Sequence, residues 1–181
     1  FRRAGQACTS TQRLFVHRSV LDTFVEKFVT ATKALKVGDP SDPATVVGPM
    51  ISESEAARAE QWIADAVAAG AKIVTGGQRR GALLQPTILV DALRDMKVLC
   101  EEIFAPVVSI IPFDSLDAAI AEINSTEFGL ACGIFTQDIN TALTAARRIH
   151  VGVVHINESS SSRVDLIPVS YTHLTLPTIL L

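Results

Sequence analysis

Apolar residues recur at two different periods along this chain, and the changes of period divide it into strand and helix segments. Residues 14–17 (Leu-Phe-Val-His) read as a short strand. Val20, Leu21, Phe24, Val25, Phe28 and Leu35 then fall at helical spacing and predict an amphipathic helix reaching Lys36. Ser19 is its expected N-cap, with Asp22 in the first turn, and Gly38-Asp39-Pro40 stops it. A loop rich in Pro, Asp and Ser runs to Pro49. Ser52-Glu53-Ser54-Glu55 has the capping-box pattern, in which a Ser side chain and a Glu three residues on satisfy the first amides of a helix. Ala56, Ala59, Trp62, Ile63, Ala66 and Val67 continue that helix, and Gly70 closes it.

Lys72–Thr75 and Thr87–Val90 are short strand candidates, separated by Gly76-Gly77 and an expected basic loop over 78–85. Val107–Phe113 is an apolar run suited to a buried strand. Helices are expected over 115–124, opened by Ser115, and over 138–149; strands are expected over 131–136 and 151–157. Strands alternating with short helices predict an α/β fold, a mostly parallel open sheet with helices on both faces. Residues 169–181 (VSYTHLTLPTILL) follow neither period, and the expectation is that they are not native coding sequence.

Composition narrows the function. The 181 residues are 48% apolar and only 19% charged, enough to bury a core. A net charge of −3, with both signs interspersed, gives no electrostatic footprint for nucleic acid or an anionic membrane. No apolar run reaches the roughly 18 residues of a membrane span. Cys8, Cys100 and Cys132 are odd in number and lack Cys-x-x-Cys spacing, which argues against a disulfide framework or a zinc site and suits a reducing, cytoplasmic compartment. No metal site is expected.

A lone cysteine is ordinarily a small buried hydrophobe, and Cys100 and Cys132, beside apolar runs, are read that way. His17, His150, His155 and His173 are read as surface or strand-end residues, without the Cys–His–Asn order of a peptidase. Cys8 differs in its frame, Gly5-Gln6-Ala7-Cys8-Thr9, with Arg13 shortly downstream. Glycine at position 5 permits a positive φ or a close backbone approach, and the small Ala7 and Thr9 leave a substrate room to reach sulfur. A thiolate that attacks carbonyl carbon needs that access, together with donors for the developing oxyanion.

This frame resembles the catalytic-cysteine motif of the NAD(P)-dependent aldehyde dehydrogenase superfamily. Cys100-Glu101-Glu102-Ile103-Phe104-Ala105-Pro106-Val107-Val108 is similar to the family's Glu-Glu-x-Phe-Gly-Pro-Val signature, with Ala105 in place of the commoner Gly. Gly48-Pro49, Gln85-Pro86-Thr87 and Phe128-Gly129-Leu130 resemble family punctuation in the same order. The resemblance implies that residues 1–168 are part of an aldehyde dehydrogenase catalytic domain. It implies that Cys8 attacks the aldehyde to form a thiohemiacetal, with its own N–H as half of the oxyanion hole. A hydride then passes to NAD or NADP, and the thioester is hydrolysed to a carboxylic acid. Glu102 is expected to accept from the nicotinamide ribose and Phe104 to pack beside the nicotinamide. Glu55 and Arg58 fall where members approach the cofactor ribose. Ala7, Thr9, Ser162 and Arg163 are expected to contact substrate. Arg163 before an Asp resembles members acting on hydroxylated or anionic aldehydes such as lactaldehyde, and the serine run at 159–162 implies a polar tunnel.

The chain lacks an initial Met and opens inside a motif, so it is expected to be a piece of a longer protein. In the family the cofactor domain, the general-base Glu and the oxyanion-hole Asn lie upstream, so these residues alone are expected to be inactive. The parent is expected to be a homodimer or homotetramer. Two other readings stay open: a coenzyme-A-acylating relative using the same cysteine, and a non-catalytic binding or structural protein on the same fold.

Overall fold

A computed structural model describes residues 1–160, which fall into two compact units, Phe1–Phe113 and a second opening at Asp114. In the first unit the elements are β1 (Arg13–His17), α1 (Leu21–Lys33), α2 (Glu53–Ala68), β2 (Lys72–Thr75), β3 (Arg79–Arg80), β4 (Leu83–Leu84), β5 (Thr87–Val90), α3 (Lys97–Cys100) and β6 (Val107–Phe113). Four strands form one sheet in the order β1-β6-β5-β2. β6 pairs parallel with both β1 and β5, while β2 runs antiparallel on the edge. The expected mainly parallel α/β sheet is present.

Alternation along the strands sends neighbouring residues to opposite faces. Ile88, Val90 and Ile110 pack with Leu21, Phe24, Val25 and Phe28 of α1. Leu89, Val107 and Ile111 pack with Ala56, Ala59, Ile63 and Ala66 of α2. A helix therefore covers each face, and the small residues of α2 let its backbone lie close to the sheet.

The helix ends show where local reading worked and where it did not. The Ser52 hydroxyl accepts from the Glu55 amide, as the capping-box pattern requires, whereas the Glu55 carboxylate accepts from Arg58. At the other end Gly70 (φ +111) is left-handed, with Gly70 N–H donating to the Val67 carbonyl and Ala71 N–H to that of Ala66. Those two bonds make a Schellman motif, which only a residue free to adopt positive φ completes without strain. α1 ends at Lys33, short of Lys36, and Leu35 turns to the α2-side cluster. Ser19 is not the cap of α1: it lies in a 3-10 turn (Arg18–Val20), where its amide donates to His17 Nδ1. Val20 and Val67, placed on apolar stripes by spacing, are 54% and 41% exposed. The expected basic loop over 78–85 contains the antiparallel β3–β4 ribbon.

The second unit contains α4 (Leu116–Ile123), β7 (Ala131–Ile134), α5 (Ile139–Arg148) and β8 (Val153–Ile156), with β7 and β8 parallel. Ser115 caps α4, and Asp138 caps α5 by accepting from the Asn140 and Thr141 amides. Ile120, Ala145 and Ile149 form its core, with Cys132 half-buried against them. Among the described residues no helix is long and apolar enough to cross a membrane.

Candidate active site

The first five residues are shaped for close approach. Arg3, Ala4 and Gly5 all have left-handed dihedrals (φ 54, 52 and 70), forming a tight turn that buries Ala4. A Cβ on Gly5 would stand 2.0 Å from the carbonyl oxygen of Ala105, so the two sequence motifs meet backbone to backbone. Gln6 holds the turn from both sides: its Oε1 accepts from Ile51 N–H at 2.8 Å and its Nε2 donates to the Arg3 carbonyl at 3.3 Å. The chain then reverses again, with Ser10 N–H donating to the Ala7 carbonyl at 2.9 Å. Cys8 and Thr9 occupy the corner of this second turn, and the Cys8 thiol is exposed. A sulfur atom at a turn corner between small residues is accessible to a carbonyl compound.

The facing segment follows α3. Ile103 is buried, Glu102 is half-buried, and Phe104 is 37% exposed. Phe104 is itself left-handed (φ 48), while Ala105 is not among the positive-φ residues. Ala therefore serves where the family commonly has Gly, and the backbone strain falls on Phe104. Gly5, Ala7, Ser10, Gln12, Glu102 and Phe104 line one shallow, open cleft. An exposed aromatic ring next to a carboxylate suits a nicotinamide riboside, which offers a flat ring and hydroxyl donors.

The residue-to-residue geometry and the expected family now converge on the same two motifs. The aldehyde dehydrogenase family model matches residues 1–170. The chain belongs to the aldehyde dehydrogenase family. It is 45% identical over 168 residues to 3-sulfolactaldehyde dehydrogenase of Priestia aryabhattai, covering 93% of this chain and 35% of that protein. Aldehyde dehydrogenase 21 from Physcomitrella patens, solved with the reaction product succinate, superposes with a TM-score of 0.90 at 43% identity, over 93% of this chain and 35% of that one. Glyceraldehyde-3-phosphate dehydrogenase GapN from Methanocaldococcus jannaschii, solved with NADP, gives 0.88 at 42% identity, over 93% and 37%. The chain thus spans about a third of the length of the family members it matches.

Within this aldehyde dehydrogenase segment, Ala7, Glu102 and Phe104 line the common cleft, and Cys8 and Thr9 sit at the turn between two of its lining residues. Ser162, Arg163 and the segment 169–181 lie outside the described residues. Arg58 is anchored within the protein. Its Nε donates to Glu55 at 2.9 Å and its Nη2 to the Ile103 carbonyl at 2.8 Å, with the guanidinium 4.6 Å from the Trp62 ring centre. Its guanidinium is thus held by the protein backbone, its own helix and the Trp62 ring. Gln12 was not apparent from pattern at all, although it joins the two motifs: Nε2 donates to the Val98 and Glu101 carbonyls at 3.0 and 2.7 Å, and Oε1 accepts from Ile103 N–H at 3.1 Å. Its only local signal is a long polar side chain between the cysteine frame and β1. Among the described residues no group of three or more His, Cys, Asp or Glu side chains could hold a metal ion.

Proposed function

We propose that this chain is the nucleophile-bearing part of an enzyme that oxidises an aldehyde to a carboxylic acid with NAD or NADP, and that Cys8 is the nucleophile. The observation that supports it most is the cleft where the Cys8 turn and residues 102–104 meet. The Cys8 sulfur adds to the aldehyde carbon, the carbonyl π electrons move to oxygen, and that oxygen takes up the proton given up by the thiol, giving a thiohemiacetal. When bound, the dinucleotide supplies the acceptor for the hydride that leaves this carbon. Loss of hydride and of the hydroxyl proton leaves a thioester on Cys8. Addition of water then expels the thiolate, releasing the acid and restoring Cys8. Glu102 accepts from a ribose hydroxyl and Phe104 packs beside the nicotinamide, while Ala7 and Thr9 keep the approach to sulfur open.

In the full-length enzyme, Cys8→Ala should lower aldehyde-dependent NAD(P)H formation at least about a thousandfold, since the covalent route is lost outright. Cys100→Ala and Cys132→Ala should keep most activity. Near-normal turnover by Cys8→Ala would remove the assignment.

The substrate is a small hydroxylated or anionic aldehyde, held by Ser162 and Arg163. Support comes from the relatives, one named for 3-sulfolactaldehyde and one solved with succinate. Arg163→Gln should raise KM for an anionic aldehyde more than for a neutral one of equal size; equal changes would count against it. The 181 residues alone, about a third of a relative's length, should not turn over aldehyde, and activity of that isolated chain would overturn this. The active form is a cytoplasmic homodimer or homotetramer, which sedimentation of the full-length enzyme checks. Residues 1–168 act as one part of the catalytic domain, and 169–181 are foreign to it; a complete native gene containing the latter would refute this.

A further inference from the structure

Ile103 lies between Glu102 and Phe104 in the cleft lining, and its backbone is held on both sides. Its N–H donates to Gln12 Oε1 at 3.1 Å, and its carbonyl accepts from Arg58 Nη2 at 2.8 Å. Gln12 comes from the segment entering β1, Arg58 from the second turn of α2, so two separate elements fix one residue. Its side chain, 1% exposed, anchors the third direction. The two braces are themselves anchored: the Gln12 amide also donates to the Val98 and Glu101 carbonyls, and Arg58 is held by Glu55 and Trp62.

Next to this fixed point stands Phe104, whose φ of 48 disfavours any side chain beyond Cα. Such a conformation persists only where the surroundings over-determine it. Pinning the peptide groups on either side of Ile103 does that, and it aims the backbone of Glu102 and Phe104 together. We infer that Gln12 and Arg58 are positioning residues that set residues 102–104 in the geometry needed to receive the dinucleotide, an inference that rests on Glu102 and Phe104 being cofactor contacts. Neither brace needs to touch substrate or cofactor, because the polar atoms at issue face backbone groups.

The test uses the full-length enzyme with Gln12→Ala, Gln12→Glu, Arg58→Met and Arg58→Lys, reading amide exchange at Ile103, KM for the dinucleotide and the alkylation rate of Cys8. Gln12→Ala should speed Ile103 amide exchange and raise dinucleotide KM, each about tenfold, the scale of one lost hydrogen bond. Cys8 alkylation should stay within about twofold, because the turn that presents Cys8 is closed by its own Ser10–Ala7 bond. Gln12→Glu keeps the acceptor for Ile103 N–H but not the donors, so it should protect that amide better than Gln12→Ala. Arg58→Met should raise KM, and Arg58→Lys, which retains a donor, should restore most of it. Unchanged Ile103 exchange in Gln12→Ala would overturn the brace itself. Faster exchange with an unchanged KM would overturn its positioning role. Absence of dinucleotide-dependent oxidation in the unaltered enzyme would instead defeat the proposed function, with the brace still decided by exchange.

Discussion

The sheet of the first unit and the loops that form its cleft are built by different means. β5 and β6 are held by alternating apolar burial, Ile88 and Ile110 to one face, Leu89 and Val107 to the other. The cleft loops contain almost no such repetition. They rely on left-handed residues at 3, 4, 5 and 104 and on single side chains, Gln6, Gln12 and Arg58, bonded to distant backbone groups. The sheet is thus redundant, since many similar contacts share its stability, whereas each cleft contact is one of a kind. Substitutions in the sheet should be read in stability, and those in the cleft in binding and chemistry.

The largest effect should come from the sheet. Leu89 is fully buried on the α2 side, and Leu89→Ala should lower unfolding free energy by about 3 to 4 kcal/mol through lost transfer and a residual cavity. In the fraction that stays folded, dinucleotide KM should be unchanged, measured beside a denaturant melt. A large KM change with little loss of stability would erase the distinction. Gly5→Ala should come next, at about 2 to 4 kcal/mol. The new Cβ meets the Ala105 carbonyl at 2.0 Å and the residue keeps a φ of 70, so crowding adds to left-handed strain. Unlike Leu89→Ala it should also slow aldehyde oxidation in the full-length enzyme, because it parts the two motifs. A stable, fully active Gly5→Ala enzyme would show that the motifs need not touch.

That division also explains what was legible in the sequence. β2, β5 and β6 fall where the apolar patterns put them, and Ser52, Ser115 and Asp138 mark helix starts because a cap acts within three residues of itself. The end of α1 was overrun because Leu35 keeps the helical period while serving the other apolar cluster. α3 and the β3–β4 ribbon are too short, at four and two residues, to carry a period. In the cleft, Gly5 was legible as a close-approach residue, but its partner was not. Gln12 was invisible because its bonds reach 86, 89 and 91 residues away, and nothing in a local pattern encodes so distant a partner.

A smaller change, about 1 kcal/mol, should reverse the usual link between stability and function. Phe104→Gly relieves left-handed strain at a 37% exposed position, so stability should hold or rise slightly. KM for the dinucleotide should nevertheless rise several-fold, since the ring is lost and the backbone is freed. Phe104→Leu keeps the strain and some apolar surface and should fall between. A fall in stability of several kcal/mol on Phe104→Gly would mean the residue is a core element after all.

The smallest effect lies in the polar loop before Gly48, where single side chains again organise the backbone around Asp39 and Asp42. The Ser41 hydroxyl and amide both donate to Asp39 Oδ1, at 2.7 and 2.8 Å, and hold its carboxyl below the usual carboxylate range. Lys36, followed by the Ala44 amide at 2.9 Å, does the same for Asp42. A carboxylate whose folded pKa is depressed binds its proton more readily when unfolded, so it stabilises the fold at neutral pH. That contribution is present above the unfolded value, near 4, and is lost as pH falls through the lowered folded values. Asp39 is exposed and the Asp42 side chain is 42% accessible, so both are screened and the contribution is small. Stability of the Asp39→Asn, Asp42→Asn double variant should therefore lie slightly below that of the unaltered protein from pH 7 to about 5, and the difference should vanish as pH falls through the lowered folded values. Aldehyde oxidation should not change. A gap that widens as pH falls would have the wrong sign for depressed carboxylates. A changed KM would show that even this exposed loop is coupled to the cleft, and that one-of-a-kind polar contacts matter there for more than local shape.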